Sequence, residues 1–286
     1  MSMSRKVSVV GATGFIGSYL VRHLTNQHDF EIEEFNSFRP VLENGQLNLG
    51  INHANSVIWA ASQTSPSECT EQLAEQELMH WIDFLDSFQE SQDLNHAYII
   101  FLSSGGCIYT DDKSHFDESD ASNGVNLYGQ LKSKMERALV RSNINHCILR
   151  LANVYGSNPN LGLGNGVISS WYKNIREKRR IEVYGSLEHA RDYVHIEDVL
   201  SAIELCILRE PTGIFNIGSG VTTTLRELIE MFQHNVSEQL EYDLVAARTT
   251  DRLTYGLNCE KSLNHFSWQS SKVLNQSITE LLNFRF

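Results

Sequence analysis

Apolar residues fall in short unbroken runs separated by helical stretches through the first half of the chain. Val7–Val10 is a β-branched run that ends on a glycine turn, and Phe15, Ile16, Leu20 and Leu24 then recur at helical spacing, which predicts strand, tight loop and helix. Further runs stand at 56–60 (SVIWA), 97–102 (AYIIFL), 146–149 (HCIL) and 213–217 (GIFNI). Between them Leu78, Trp81, Ile82, Leu85 and Phe88 share one helical face, and 128–140 repeats the pattern less strongly. A strand buried on both faces loses the in/out alternation of a half-exposed one. Unbroken runs alternating with helices therefore predict an α/β fold, a Rossmann-type doubly wound parallel sheet.

After about residue 155 the alternation loosens. SNPNLGLGNG reads as a loop, a helix and the short strand RIEVYG follow, and regular pattern returns over 192–208. The expected organisation is one doubly wound domain over residues 1–153, completed by about 191–219, and a smaller C-terminal α/β lobe from 154–190 and 220–286.

Composition changes this picture mainly by exclusion. The net charge of −12 argues against nucleic acid or an anionic membrane surface as partner, since either needs a basic face. The one basic run, 176–180 (REKRR), reads as an exposed last helical turn where cations offset the dipole. Five cysteines, widely spaced and without CxxC, read as reduced thiols of a cytoplasmic protein. No apolar run approaches the roughly 18 residues of a membrane span, and the first strand starts too early to leave room for a signal peptide. The 11 histidines form no HExxH-like cluster, so no metal is expected.

Candidate chemistry begins at Gly11-Ala12-Thr13-Gly14-Phe15-Ile16-Gly17, which follows the first strand and opens the first helix. Glycines there let the backbone approach a pyrophosphate, and the helix N-terminus offers N–H groups to it; simple helix–sheet packing is the plain alternative. A ribose-binding carboxylate is expected about 20 residues on. The sequence there, EIEEFNSFRP, offers Glu34, but strand phasing lets Asn36 compete, with Arg39 close by. An acid favours NAD, whereas an amide with a nearby arginine accommodates NADP, and the sequence leaves the two open.

Tyr128 and Lys132 stand at i and i+4, one turn apart on one helical face. An ammonium there is expected to lower the tyrosine pKa and make the phenol a usable acid and base. The order of motifs carries more than this spacing: a glycine loop after the first strand, the strand end FLSSGG, then YxxxK about 25 residues later. In that order the chain resembles the extended short-chain dehydrogenase/reductase family, in its nucleotide-sugar epimerase/dehydratase branch of UDP-glucose 4-epimerase-like proteins, over nearly its whole length. Residues 149–156 (LRLANVYG), 190–199 (ARDYVHIEDV), 215–220 (FNIGSG) and 248–251 (RTTD) are similar to further family segments.

The resemblance implies a catalytic set of Tyr128, Lys132 and Ser104. It implies cofactor contacts at Gly11, Thr13, Gly14, Phe15, Ile16, Gly17, Asn36, Arg39, Ala60, Ala61, Ser103 and Leu151 as well as Tyr128 and Lys132. For a nucleotide-diphosphate sugar it implies Ser104, Asn153, Val167, Tyr184, Arg191, Arg248 and Asp251, with both arginines on the diphosphate and Asp251 on the ribose. Taken singly these residues have mundane readings: Arg150 with Asp192 as an ion pair, Tyr155 and Tyr193 as core aromatics, Arg248 as a surface charge. Two departures bear on chemistry. The family's usual hydroxyl position, four residues before Tyr109, holds Gly105, which leaves Ser104 as the candidate. Gly106 and Cys107 stand where a dehydratase carries Asp-Glu, so elimination of water is not expected.

The activity expected from this reading is NAD(P)-dependent epimerisation of a nucleotide sugar at C4 through a 4-keto intermediate. The alternative is an NADPH-dependent 4-ketoreductase, and a non-catalytic dinucleotide sensor is disfavoured because such proteins generally lack YxxxK. The resemblance also implies a homodimer through helices at about 72–88 and 128–140, with Trp81 and Phe88 placed either in that interface or in the core.

Overall fold

Each apolar run becomes a strand with little change of boundary. β1 (Arg5–Val10), β2 (Phe30–Phe35), β3 (Ser56–Trp59), β4 (Tyr98–Ser104), β5 (His146–Leu151) and β6 (Gly213–Ile217) make one 6-stranded sheet in the order β6-β5-β4-β3-β1-β2. All neighbours pair in parallel. The computed structural model describes residues 4–158, 162–163, 166–246 and 252–283. Strand order reverses between β1 and β3, which opens a crevice beyond their C-terminal ends.

Helices cover both faces: α1 (Phe15–Thr25), α2 (Glu71–Glu90), α3 (Leu127–Arg141), α4 (Val167–Arg176) and α5 (Ile196–Arg209) follow in order, α4 belonging to the second lobe. Leu20 and Leu24 of α1 and Val199 and Ile203 of α5 pack with Val7, Val9, Ile58 and Ile100. Trp81, Phe84 and Phe88 of α2 and Leu131, Met135 and Leu139 of α3 pack with Val57, Trp59, Ile99 and Phe101. Successive residues of β3 and β4 thus serve opposite cores, which is why their sequences show no alternation.

The apolar stripe of α2 is turned relative to the expectation from spacing. Phe84 is fully buried, whereas Ile82 is 40% exposed. Trp81 and Phe88 lie in the core, so the interface placement of these two is corrected. Trp81 packs 4.6 Å from the Trp59 ring and 5.0 Å from Phe101, and its Nε1 donates to the Met135 carbonyl at 3.0 Å. A large indole with a satisfied N–H gains more from that enclosure than from an outward position.

A second sheet is built around the strand Ala190–His195, which pairs with Thr222–Thr224, Thr254–Leu257 and Asn153–Tyr155. The short strand His115–Phe116 joins it beside Thr254–Leu257, so a segment between β4 and α3 also enters this sheet. Below it Tyr155, Trp171, Ile181, Phe232 and Ile278 form a third core. The buried Asp198 carboxylate fastens the chain after Trp268 by accepting from Ser270 Oγ, Ser271 N and Oγ and Lys272 N. Among the described residues no helix is long and apolar enough to cross a membrane.

Because Trp81 is a core residue, Trp81→Ala is expected to cost about 3–5 kcal/mol of folding stability. In urea unfolding the loss should not depend on protein concentration, as it would if Trp81 stood between subunits.

Candidate active site

The glycine loop is closed against the two strands that flank β1. Gly11 has φ +89, a conformation that favours glycine, and a Cβ on it would stand 2.6 Å from the Ala61 nitrogen. A Cβ on Gly17 would meet the Gly11 carbonyl oxygen at 2.1 Å. The Gly11 and Ala12 N–H groups donate to the Phe35 carbonyl at 2.9 and 3.0 Å, tying the loop to the end of β2. α1 starts at Phe15 behind Gly14, with no side-chain cap and no acid in its first turn. Thr13 is exposed on the loop and Phe15 and Ile16 are partly buried. A bare helix N-terminus in a glycine cradle at the sheet's reversal point fits the diphosphate of a dinucleotide.

At the end of β2 the position after Phe35 is Asn36, an amide. Its Oδ1 accepts from the Phe38 and Arg39 nitrogens at 2.9 and 3.1 Å, which fixes the amide plane with its Nδ2 donors turned away from that bend. Glu34 points from the strand to solvent. Arg39 is paired with the Glu33 carboxylate and lies 5.3 Å from the centre of the Phe35 ring, while staying half exposed.

The catalytic candidates are brought together by backbone contact between the chain after β4 and the start of α3. Gly124 N donates to the Ile108 carbonyl and Val125 N to that of Cys107, at 2.8 and 2.9 Å. Asn126 caps α3 by accepting from Gly129 N at 2.8 Å, and a Cβ on Gly129 would lie 2.2 Å from the Cys107 carbonyl oxygen. Only glycine allows that approach, so the first turn of α3 rests on the segment that carries Ser104. The Cys107 thiol donates to Ser104 Oγ at 3.2 Å. Burial pushes this thiol up to about 11, so it stays a donor at neutral pH and leaves the Ser104 proton for another acceptor.

Lys132 is buried, with its Nζ 5.3 Å from the centre of the Tyr128 ring. That ammonium donates to Glu77 Oε1 of α2 at 3.1 Å and to Ser62 Oγ at 3.4 Å. Burial works to lower the Lys132 pKa, but Tyr128 and Glu77 outweigh it and hold the ammonium above its ordinary value. Tyr128 departs from the expectation: its pKa is raised, not lowered. Burial pushes it up, Lys132 pulls it down, and Cys107 and Glu77 push with burial.

One turn further along α3, Glu136 takes charge-assisted bonds from Arg150 Nε at 3.1 and 3.3 Å and from Nη2 at 2.7 Å, and accepts from Ser103 Oγ. Ser103 therefore gives its hydroxyl to a structural carboxylate. Arg150 pairs with Glu136 and not with Asp192, which instead accepts from Ser219 N and Oγ and from Gly220 N. Leu151 is buried, and its carbonyl accepts from Gly105 N at 2.7 Å.

In the second sheet, Asn153 Nδ2 donates to the Asp192 carbonyl at 2.9 Å, and its Oδ1 would lie 3.9 Å from a Cβ on Gly106, so this side chain faces the SSGG segment. Arg191 donates to the carbonyls of Ala190 and Arg252, both at 2.9 Å. Val167 opens α4, and Tyr184, 41% exposed, donates its hydroxyl to Glu182. Tyr155 and Tyr193 are buried core aromatics. Arg248 and Asp251 lie outside the described residues. Sequence reasoning missed Glu77, Ser62 and the Cys107 donor. Only Glu77 left a trace, as an acid one turn before Trp81 on the buried face of α2.

A tyrosine–lysine pair beside strand ends whose glycine loop fits a diphosphate suits the transfer of a hydride and a proton together. Residues 7–218 match the NAD dependent epimerase/dehydratase family, and the chain belongs to that family. It is 27% identical to a dTDP-4-dehydro-6-deoxyglucose reductase from Escherichia coli, over 96% of each chain. A dTDP-6-deoxy-L-talose 4-dehydrogenase from Aggregatibacter actinomycetemcomitans is 26% identical over 86% of this chain and 97% of its own. Among solved structures, the UDP-glucose 4-epimerase of Thermotoga maritima with UDP-glucose superposes with a TM-score of 0.83 at 22% identity, over 97% of each chain.

Gly17→Ala forces its new Cβ into the Gly11 carbonyl and so opens the loop. Titration calorimetry with NAD(H) and NADP(H) is expected to show a loss of about tenfold or more in affinity, equal to about 1.4 kcal/mol, while circular dichroism keeps the wild-type spectrum.

Proposed function

We propose that the chain is a nucleotide-sugar 4-ketoreductase, with C4 epimerisation through a 4-keto intermediate as the second reading. The observation that carries this is Tyr128, held as a phenol beside the Lys132 ammonium at the end of α3 that rests on the Cys107 carbonyl, three residues after Ser104. A phenol above its ordinary pKa carries its proton at neutral pH, the state in which a carbonyl oxygen receives it. The reductase relative that spans nearly the whole chain supports the same direction.

The glycine loop and the start of α1 would hold the diphosphate of NAD(P)H, which when bound would supply the hydride that a ketone carbon must receive. Tyr128 gives its phenolic proton to the carbonyl oxygen as that carbon is reduced, and the ketone becomes a secondary alcohol. Lys132 stabilises the phenolate that is left. Ser104, with Cys107 donating to its oxygen, points its own proton at the same carbonyl. Asn153 and Arg191 reach the nucleotide-diphosphate part of the substrate, joined in this proposal by Arg248 and Asp251, with Val167 and Tyr184 at the sugar-nucleotide side. Asn36 places no fixed negative charge at the adenine ribose, so the site takes NADPH as well as the NADH of its family. The family description and the same residues keep epimerisation as the second reading. Free cysteines fit action in the cytoplasm.

The test is cofactor stoichiometry with a nucleotide 4-keto sugar. One equivalent of NAD(P)H is expected to be oxidised per alcohol formed, and Tyr128→Phe should lower kcat by about 10²–10⁴. Sugar inversion without net cofactor oxidation would select the epimerase, and full turnover by Tyr128→Phe would remove both readings.

The homodimer fits the outward faces of α2 and α3. Met79 and Val140 are 64% and 51% exposed there, with acidic Asp83 and Asp86 on one helix and basic Lys134 and Arg137 on the other. Light scattering should report a dimer that Met79→Glu with Ile82→Glu converts to monomer.

A further inference from the structure

From the donors gathered on one buried carboxylate we infer that Glu77 is a positioning residue for the nicotinamide half of the dinucleotide: it ties the loop after β3 to α3 and so sets the wall against which that half rests. Reduction and epimerisation both need that wall, so the role does not depend on which of the two the site performs.

Glu77 is buried on the face of α2 turned to α3. One turn further on, Trp81 of the same face bonds the Met135 carbonyl, so the seam between the helices is fastened at two successive turns. A buried carboxylate is costly unless its oxygens meet donors. Ser62 Oγ reaches Oε1 at 3.0 Å and Oε2 at 3.2 Å, the Gln63 N–H donates to Oε2 at 2.8 Å, and Lys132 Nζ donates to Oε1 at 3.1 Å. Ser62 and Gln63 belong to the loop after β3, and Lys132 to α3. One carboxylate therefore joins the loop to the helix that carries Tyr128.

That loop borders the crevice along its length. At its start Ala60 N donates to the Val10 carbonyl at 2.9 Å, and Ala61 N lies 2.6 Å from where a Cβ on Gly11 would stand. Two residues later the chain reaches Glu77, beside Lys132 and Tyr128. It thus runs from the place of the diphosphate to the place of the proton donor. Hydride and proton are delivered to a carbon and to the oxygen bonded to it, so the nicotinamide would lie near Tyr128, with the loop bordering the stretch between. Lys132 serves the same stretch. An ammonium has three N–H donors, and the two taken by Glu77 and Ser62 fix the direction of the third.

An amide at position 77 breaks this arrangement without emptying it. Lys132 loses its counter-charge, and an N–H donor replaces one of two oxygens that now face donors only. The glycine loop gives Glu77 none of these bonds, so the diphosphate cradle keeps its shape.

The experiment measures binding of NADH, ADP-ribose and ADP to wild type and Glu77→Gln by titration calorimetry. All three ligands carry adenosine and a diphosphate, but only the first two carry the second ribose. Glu77→Gln should bind NADH and ADP-ribose about tenfold more weakly, the size of one charge-assisted bond, and ADP within about twofold of wild type. ADP is the control that a general structural fault would also move. Hydrogen exchange, read residue by residue, should show the Gln63 N–H protected in wild type and exchanging about tenfold faster in Glu77→Gln. An equal loss for the three ligands overturns the inference, and so does no loss for any. A wild-type Gln63 N–H that exchanges at the open-chain rate overturns it as well, a result that stands even where Glu77→Gln does not fold. Neither measurement uses a sugar, so each can fail while the ketoreductase reading holds, or succeed while no ketone is reduced.

Discussion

The site depends on charges that α3 carries into the protein interior. Lys132 meets Glu77 across the α2–α3 seam, and one turn later Glu136 meets Arg150 from β5. Neither pair is a convincing source of net stability, because desolvation consumes most of the attraction between buried ions. What the pairs supply is position. Removing either partner would strand a buried charge, so α3 is held at one height and rotation over the sheet, and that setting puts Tyr128 beside the chain that carries Ser104.

The same constraint explains the glycines around it. Gly129 lets the first turn of α3 touch the Cys107 carbonyl, and Gly124 turns the chain into that turn at φ +86. Across the crevice, Gly11 and Gly17 close the phosphate loop against β3 and α1. Polar side chains and backbone contacts thus define both walls, while the cores on either face of the sheet keep its strand ends in register. The phenol at the centre of this arrangement, Tyr128, owes its raised pKa to burial first, with Lys132 pulling the other way.

Much of this was legible in the sequence because it follows from local periodicity. The six strands of the sheet stand where unbroken apolar runs stand, apart from β2, whose FEIEEF is half polar at the sheet's edge. The place of the glycine loop and the shared face of Tyr128 and Lys132 follow from local pattern, whereas their expected roles come from the order of motifs and not from spacing. What was not legible depends on contacts between distant segments. Glu77 lies 55 residues from Lys132, and an acid on a helix face gives no sign of which cation it will meet. The rotation of α2 that buries Phe84 and exposes Ile82 was set by Trp59 and Phe101, not by the helix's own pattern. The tyrosine pKa was expected to fall because a neighbouring lysine was visible and the burial and the second carboxylate were not.

The central claim is that hydride reaches a ring carbon of a nucleotide sugar while Tyr128 protonates the oxygen on that carbon. It is tested most directly by supplying NAD(P)H deuterated at the transferable position together with a nucleotide 4-keto sugar and locating the label by mass spectrometry and NMR. The account predicts one deuterium at the former carbonyl carbon of the alcohol, with one cofactor oxidised for each. An alcohol carrying no deuterium at that carbon would contradict it.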